Sequence, residues 1–367
     1  MKSVAVAVGV SVLLLAGCSV ESDPVVINSF PNRATVQADL DGLVRSTVGG
    51  AVATLSVPGE TVELRSGVGN RTTAEPIPDG AQVRIGSVTK TFVAAMVMQL
   101  VDEGRIELDA SIGRYLPGVL TGEGVDPGAI TVRQLLQHTS GLPEYSDDPR
   151  ITQTYFGSGE QFTRQDLLGM ALVHPAQFPA GERMKYTNTN YLVNGLLVEK
   201  VTGNTVEDEL ERRITGPLQL TDTYLPGTGE KQIRGRHPSG YEADGDKVVE
   251  VTATEPSGPW AAGAMISSGA DLTAFLRALV DGRIVSQASW GAMTDTVPMD
   301  QPGMSYGLGL MSAKLSCGKV FWGHSGDIPG FHTLTGATED GRAAAITVTQ
   351  APPQEVDTLA LLSNALC

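Results

Sequence analysis

The feature of this sequence that most constrains its fold is the position of its β-type segments, which lie near both ends of the chain. Runs typical of strands at 51–57, 60–68 and 82–85 precede a long region with helical spacing, and further runs follow at 306–313, 319–322, 331–336 and 343–349. Strand groups this far apart can share one sheet only if the two ends of the chain meet. We therefore predict an α+β fold, in which an antiparallel sheet flanked by N- and C-terminal helices carries an inserted, mostly helical region.

The same pattern divides the chain into consecutive parts. We interpret residues 1–17 as an export signal, 18–34 as a polar tether, 35–86 and 256–367 as the sheet region, and 87–255 as the mostly helical region. Apolar residues make up 41% of the chain and charged residues 18%, which is typical of a globular protein. The sheet and helical regions are predicted to form one unit, with the functional site between them.

Composition excludes several classes of partner. The net charge of −15 argues against nucleic acid, because phosphate binding needs clustered cations. The five histidines include no pair four residues apart and the chain has no Cys-x-x-Cys, so no metal site is predicted. Glycine-rich nucleotide motifs are also missing from the sequence, and no cofactor is expected.

The first eighteen residues have the pattern of an export signal. One cation, Lys2, precedes an apolar run that ends in Leu-Ala-Gly-Cys at residues 15–18, which resembles the lipobox of bacterial lipoproteins. An ordinary secretory signal that contains a cysteine is the alternative. Lipidation of Cys18 would anchor the protein to the outer face of the bacterial cell membrane.

Export also bears on the remaining cysteines. With Cys18 acylated, Cys317 and Cys367 are the pair left in an oxidising compartment. We predict a disulfide between them, closing a loop of about fifty residues and stabilising the fold by roughly 2–4 kcal/mol.

Ser87 and Lys90 are the first candidates for chemistry. They lie where a predicted strand gives way to a helix, and their spacing of three places both side chains on one helical face. A serine at a helix start has unpaired N–H groups beside it, and a desolvated lysine has a lowered pKa and could accept the serine proton. The pattern alone is weak, because Ser316 and Lys319 share the spacing, although they precede a strand and flank a cysteine predicted to be bridged.

Two later motifs could complete such a site. Tyr186 and Asn188 form the only Tyr-x-Asn of the chain, and they could relay a proton to a leaving group and hold a substrate carbonyl. His324, Ser325 and Gly326 end a predicted strand, where backbone groups could flank a bound peptide and the glycine would allow close approach. Each motif by itself is also compatible with a structural role.

The order Ser-x-x-Lys, Tyr-x-Asn, His-Ser-Gly resembles that of the penicillin-recognising serine enzymes, and most closely the class C β-lactamase and D-alanyl-D-alanine carboxypeptidase family. The likeness covers nearly the whole chain after the signal, including the segments at 135–142, 178–191 and 262–268. The resemblance implies a single β-lactamase-like catalytic unit that acts as a serine hydrolase without a cofactor.

The resemblance also implies residue roles. Ser87 would be the acylated nucleophile, and Lys90 and Tyr186 would share the general acid–base work, with the base role left open between them. Asn188 would orient the substrate amide. The backbone N–H groups of Ser87 and Asp327 would form the oxyanion hole.

Two departures from the family pattern bear on the substrate. His324 and Ser325 would line the side that receives a substrate carboxylate, where many β-lactamases have a lysine, and a histidine is only partly cationic near pH 7. The histidine therefore favours a carboxypeptidase-like or esterase-like member of the family over a β-lactamase. Met311 stands where a carboxypeptidase of this family has an arginine for the terminal carboxylate, and Lys314 would lie on the opposite face of the strand.

The first hypothesis is therefore a serine hydrolase that forms an acyl-enzyme at Ser87 and acts as a D-alanyl-D-alanine carboxypeptidase on cell-wall peptides. A class C-like β-lactamase and an esterase or amidase of the same fold are the alternatives, because sequence fixes neither the deacylation rate nor the acyl donor. Intact Ser87, Lys90, Tyr186 and Asn188 argue against a non-catalytic binding protein. We expect a monomer at the membrane surface that acts on a peptide, a β-lactam or an ester.

Overall fold

The computed structural model describes residues 1–2, 30–45, 49–157, 159–351 and 356–367. Most of the predicted signal and tether, with Cys18, lies outside the described residues. Within them, no helix combines the length and apolar character needed to cross a membrane.

The strand segments near both ends of the chain form one sheet, as predicted. The strands of the described residues are β1 (Gly50–Val57), β2 (Glu60–Gly67), β3 (Gln82–Arg84), β4 (Tyr241–Asp244), β5 (Lys247–Glu250), β6 (Ile266–Ser268), β7 (Val297–Pro298), β8 (Met304–Tyr306), β9 (Met311–Lys314), β10 (Val320–Ile328), β11 (Phe331–Ala337) and β12 (Ala343–Val348). Eight of these strands form an antiparallel sheet in the order β2-β1-β12-β11-β10-β9-β8-β7. Ala53 of β1 lies opposite Ile346 of β12, so the two ends of the chain complete the sheet between them.

Helices cover both faces of this sheet. The α-helices of the described residues are α1 (Arg33–Arg45), α2 (Thr89–Asp102), α3 (Ile112–Tyr115), α4 (Val132–Leu136), α5 (Pro149–Tyr155), α6 (Arg164–Leu172), α7 (Asn188–Thr202), α8 (Val206–Leu210), α9 (Gly216–Leu218), α10 (Trp260–Gly263), α11 (Gly269–Val280), α12 (Gln287–Met293) and α13 (Thr358–Leu366). A π-helical segment, Glu211–Thr215, joins α8 to α9. The helices α1 and α13 pack on one face, and α11 packs on the other. The α+β class is confirmed.

The helix that matters most for the site is α2, which lies at the centre of the larger core. Every residue from Thr89 to Met98 is buried, and the ring of Phe92 stacks on Phe275 of α11 with centroids 3.7 Å apart. A helix that is buried on all sides has no solvated face for a charged residue. Lys90, in its first turn, is therefore fully buried as well.

Four details differ from the sequence prediction, and the first is that β3 pairs with β6 in a separate two-stranded sheet instead of joining the eight-stranded one. The region 87–255 also contains the β4–β5 hairpin, whose short and polar strands lack a clear alternation. The strand predicted from Tyr306 to Ala313 is interrupted between β8 and β9, where Gly309 has a φ of +77° and packs against Ala94 of α2. The strand predicted at 319–322 continues to Ile328, so the His-Ser-Gly motif lies inside β10.

A disulfide joins Cys317 to Cys367, the pairing expected from the sequence. Cys317 lies in the turn between β9 and β10, and Cys367 follows α13. The bridge therefore ties the end of the chain to the sheet.

Candidate active site

Ser87 lies in a single helical turn, Gly86–Val88, which connects the region of β3 to α2 and is called here the Ser87 turn. Gly86 has a φ of +50°, and a Cβ there would lie 2.8 Å from the backbone nitrogen of Asp327. On the facing strand, a Cβ at Gly326 would collide with the Ile85 carbonyl oxygen and lie 3.1 Å from the Ser87 nitrogen. Both positions require glycine, because the Ser87 turn and β10 meet backbone to backbone.

This contact revises the role expected for Gly326. The sequence predicted that Gly326 lets a substrate approach. In the structure, the backbone of Ile85 and Ser87 lies against this glycine instead. The backbone nitrogens of Ser87 and Asp327, the predicted oxyanion-hole groups, both lie at this contact. The contact between the Ser87 turn and β10 thus brings together two backbone N–H groups, the number of donors that an oxyanion hole for acyl transfer would need.

Lys90 is hydrogen-bonded in a way that directs its amine at the serine. Its Nζ donates to three acceptors, which are Ser87 Oγ at 2.8 Å, Asn188 Oδ1 at 2.8 Å and the Ala262 carbonyl oxygen at 2.7 Å. Burial lowers the pKa of Lys90 from 10.5 to about 7, against a smaller raising effect of Glu144. The amine is therefore neutral in a substantial fraction of molecules near pH 7 and can accept a proton.

Tyr186 places its phenol above this pair. The Lys90 Nζ lies 4.8 Å from the centre of the Tyr186 ring, which stacks on His138 with centroids 4.1 Å apart. Burial raises the pKa of Tyr186 well above 10, against a smaller lowering effect of the nearby Ser87 hydroxyl. Among the described residues, its own hydroxyl has no partner in good hydrogen-bond geometry. A protonated phenol beside the serine is suited to donate a proton to a leaving group.

Asn188 begins α7 and connects the site to a carboxylate that the sequence analysis did not single out. Its backbone N–H donates to Glu144 Oε2 at 2.6 Å, and its side-chain amide donates to Ser146 Oγ at 3.2 Å while accepting from Lys90. Glu144 is half-buried and is the negative charge that raises the pKa of Lys90. The sequence feature that could have pointed to Glu144 is its position, two residues after the segment at 135–142 that resembles the family.

A series of buried hydrogen bonds begins at His138, the ring that stacks on Tyr186. His138 Nδ1 accepts from the Thr187 backbone N–H at 3.2 Å, so its Nε2 carries the hydrogen and donates to the Tyr306 hydroxyl at 3.2 Å. Tyr306 in turn donates to His324 Nε2 at 2.9 Å, and His324 Nδ1 donates to the Ser325 carbonyl oxygen. These assignments follow from the network, and they leave neither nitrogen of His324 available to a substrate.

His324 is therefore neutral. Burial lowers the pKa of His324 to about 3, with the nearby Lys90 acting in the same direction. The partial positive charge expected at this position from the sequence is missing for this physical reason. Ser325 lies on the opposite face of β10, where its hydroxyl points to Met311 Sδ at 3.7 Å.

Two cavities meet at Asp327. Ser87 lines a cavity of about 260 Å³, the Ser87 cavity, whose walls include Tyr145, Ile151, Tyr155, Asn188, Pro259 and Pro329. Of the described residues that line it, Asp327 is the only charged one. His324 and Ser325 line a second cavity, of about 370 Å³, which Asp327 also borders.

The competing Ser-x-x-Lys pattern does not form a pair. The backbone N–H of Ser316 donates to Ser363 Oγ at 3.1 Å, whereas Lys319 Nζ binds Asp340 Oδ2 at 2.7 Å. Both residues lie in the turn region between β9 and β10, away from the helix start that carries Ser87.

Comparison with known proteins decides the family. The sequence model of the Beta-lactamase family matches residues 33–365. The chain belongs to the beta-lactamase family. Members and neighbours of this family are serine hydrolases of the penicillin-recognising type, and the chain is one of them.

Individual beta-lactamase-family relatives differ in what they are named for. Penicillin-binding protein 4 of Amycolatopsis lactamdurans is 30% identical over 264 residues, which cover 68% of this chain and 66%, just under two thirds, of that relative. A D-stereospecific amidohydrolase from Streptomyces sp. is 35% identical with a TM-score of 0.84. The match covers 92% of this chain and 99% of the amidohydrolase chain. The D-amino acid amidase of Ochrobactrum anthropi SV3, complexed with L-phenylalanine amide, is 30% identical with a TM-score of 0.79. The match covers 91% of this chain and 97% of the amidase chain.

Proposed function

We propose that this protein is an amidohydrolase that cleaves amides of D-amino acids through an acyl-enzyme at Ser87. The observation that carries the proposal is the buried Lys90 amine, 2.8 Å from Ser87 Oγ and with a pKa of about 7, beside a cavity without a cationic side chain among its described lining residues. The first part of this observation suits acyl transfer, and the second suits a substrate that carries no carboxylate near the reacting bond.

Acylation follows from these positions. Neutral Lys90 accepts the Ser87 proton while Oγ attacks the amide carbon, and the developing oxyanion is stabilised by the backbone N–H groups of Ser87 and Asp327. Tyr186 donates its proton to the leaving nitrogen, and the C–N bond breaks to release the amine. The Lys90 ammonium then returns a proton to the Tyr186 oxygen. Water hydrolyses the ester in a second step, which regenerates Ser87.

The comparisons support an amide substrate. The Streptomyces neighbour is named a D-stereospecific amidohydrolase and the Ochrobactrum neighbour a D-amino acid amidase, and the likeness extends over nearly their whole lengths. The neutral state of His324 and the presence of Met311 beside Ser325 support the same choice, because a free carboxylate would find no cation there.

The second candidate is a D-alanyl-D-alanine carboxypeptidase that acts on cell-wall peptides. Similarity to penicillin-binding protein 4 favours it, as does the order of the three motifs. A class C-like β-lactamase and an esterase would share the acylation step and differ in the acyl donor or in the rate of deacylation.

Intact-mass spectrometry and product analysis distinguish these candidates. The purified protein is incubated separately with D-phenylalanine amide, L-phenylalanine amide, a peptide ending in D-Ala-D-Ala, benzylpenicillin and a p-nitrophenyl ester. We expect D-phenylalanine amide to be hydrolysed much faster than its L-enantiomer, and release of D-alanine without amide hydrolysis would instead establish the carboxypeptidase.

The nucleophile is tested with a matched pair of variants. We expect Ser87→Ala to abolish hydrolysis and Ser316→Ala, which removes the serine of the competing pattern, to retain it. Acylation of the Ser87→Ala protein would overturn the assignment.

We also propose that Cys18 is lipidated, that the protein is held on the outer face of the bacterial cell membrane, and that it acts as a monomer. The support is the residue pattern at 1–18. Expression of the whole chain should place it in the detergent phase of a Triton X-114 partition, and Cys18→Ser should move it to the aqueous phase. Equal partition of both proteins, or a dimer by light scattering, would contradict the respective part.

A further inference from the structure

We propose that the second cavity, beside Asp327, is the subsite for the leaving group, and that it takes an apolar side chain carried by the amine that is released. The proposal rests on the amidohydrolase function and defines its substrate class further: D-aminoacyl amides whose amine part is apolar and has no free carboxylate.

The position of the proton donor indicates which cavity faces the leaving group. Tyr186, which would protonate the leaving nitrogen, is not among the described residues that line the Ser87 cavity. Its ring lies instead near His324, with centroids 6.2 Å apart, and His324 lines the second cavity. A carbonyl carbon at Ser87 Oγ therefore has its leaving nitrogen on the Tyr186 side, next to β10, whose opposite face lines the second cavity through Ser325.

The two cavities also share one lining residue. Asp327 borders both of them, its side chain is 74% exposed, and its backbone nitrogen lies at the contact with the Ser87 turn. A substrate that binds the oxyanion N–H groups thus passes the Asp327 rim before its leaving group enters the second cavity.

The walls of the second cavity favour an apolar group. They are formed by α13 and by the face of the sheet on which α13 packs. The apolar side chains of these walls include Met304, Met311, Phe321, Leu334, Leu359 and Leu362. The volume of about 370 Å³ lies within the range of small-molecule sites. Burial of an apolar side chain there would be favourable because it removes apolar surface from water.

The charges at the rim disfavour a carboxylate. The Asp327 carboxylate binds His332 Nδ1 at 2.8 Å, and no lysine or arginine is among the described lining residues. A free carboxylate on the leaving group would meet the negative charge of Asp327, and no lysine or arginine among the described lining residues would offset it.

The substrate series that tests this keeps D-alanine as the acyl part and varies only the amine: ammonia, glycinamide, leucinamide and free leucine. We expect kcat/KM for the leucinamide compound to exceed that for the glycinamide compound by about tenfold or more, as a filled hydrophobic pocket typically gives. The compound with free leucine should be a poorer substrate than its amide. Equal rates for glycinamide and leucinamide, or a preference for free leucine, would overturn the proposal.

A cavity-filling variant tests the location. Leu334→Trp is expected to remove the leucinamide preference while leaving hydrolysis of D-alanine amide unchanged, because Leu334 touches only the second cavity. Leu359→Trp, on α13, serves as an independent filling variant if Leu334→Trp unfolds at a lower temperature. Val320→Trp is the matched control, because Val320 is exposed on β10 and does not line the cavity.

The outcomes separate the two proposals. If D-alanine amide is hydrolysed but both filling variants keep the preference of the unmodified protein, the subsite is wrong and the amidohydrolase function stands. If no amide of the series is hydrolysed, the proposed function fails and the subsite proposal is overturned with it.

Discussion

At the scale of single residues, Lys90 shows how burial changes what a side chain can do. Three hydrogen bonds hold the amine against Ser87, and complete burial lowers the pKa of Lys90 to about 7. Lys319, which has the same spacing but is only half-buried, binds Asp340 instead of its serine. The environment of α2 therefore distinguishes the base from its sequence equivalent.

The lowered pKa predicts the pH dependence of acylation. Because only the neutral amine accepts the Ser87 proton, kcat/KM for D-alanine amide should rise as pH increases through about 7 and level off above it. Burial keeps the pKa values of His138 and His324 below their ordinary value of 6.5, so these rings should add no second rise near neutral pH.

A pH–rate profile of the purified protein between pH 5.5 and 9.5 measures this directly. Lys185→Ala, which removes an exposed lysine next to Tyr186, should leave the profile unchanged. A rate that still rises steeply at pH 9.5, as a base with the ordinary lysine pKa of 10.5 would give, would contradict the assignment of Lys90 as the base.

The sequence predicted the residues of the site that lie in motifs, but not those that tertiary contacts bring in. Ser87, Lys90, Tyr186 and Asn188 were found because their order and spacing resemble a family. Glu144 has no motif of its own, and its importance comes from the contact with Asn188.

The charge state of His324 was also beyond sequence reasoning. It depends on Tyr306, eighteen positions earlier in the chain, whose hydroxyl fixes the ring by a 2.9 Å hydrogen bond. Only the folded sheet, in which β9 pairs with both β8 and β10, brings these two side chains together.

At the scale of elements, the site depends on the contact between the Ser87 turn and β10. Gly86 and Gly326 allow the two backbones to meet, and this places the Asp327 nitrogen next to Ser87. The sequence indicates both elements, but it predicts a strand run only at 319–322 with the His-Ser-Gly motif at its end, because Gly323 and Gly326 weaken the strand pattern. The pairing of β10 with β11 extends it to Ile328.

A methyl group at this contact should be costly. Gly326→Ala would force a Cβ against the Ile85 carbonyl oxygen, so we expect a loss of roughly 1–3 kcal/mol in the free energy of unfolding, as overpacking typically gives. Acylation should slow strongly as well, because the Asp327 N–H is displaced from Ser87.

Chemical denaturation and kcat/KM for D-alanine amide measure the two effects. Gly169→Ala is the matched control, since Gly169 lies in α6 with open space around its Cβ position and should gain up to about 1 kcal/mol. Unchanged stability and rate in the Gly326→Ala protein would show that the contact is not tight.

At the scale of the whole molecule, the two ends of the chain hold the sheet closed. The pairing of β1 with β12 is reinforced by the packing of α1 on α13, where Asn364 Nδ2 donates to Asp39 Oδ2 at 2.8 Å. This architecture was predictable because strand patterns lay at both ends of the chain. The order of the eight strands was not, because alternation within a strand carries no information about its neighbours.

The Cys317–Cys367 disulfide should contribute to stability without affecting chemistry. It ties the end of the chain to the β9–β10 turn, at the opposite end of β10 from Gly326. Replacing both cysteines with serine should lower the free energy of unfolding by roughly 2–4 kcal/mol. Hydrolysis of D-alanine amide at 25 °C should be unaffected.

Denaturation with and without a reducing agent provides the check. Reduction should lower the unfolding midpoint of the unmodified protein and leave that of the double variant where it is. Equal midpoints for the oxidised and reduced unmodified protein would rule out a stabilising bridge.

The glycine contact between the Ser87 turn and β10 has a consequence for how new specificities can arise on this scaffold. Since the reactive serine and its neighbouring strand meet through main-chain atoms, we expect replacement of the side chains that line the cavities to leave this contact intact. Natural divergence and laboratory libraries can therefore exchange one acyl donor or amine for another by varying Tyr155, Leu334 or Met311. Mutations at Gly86 or Gly326 would sacrifice turnover for every substrate alike.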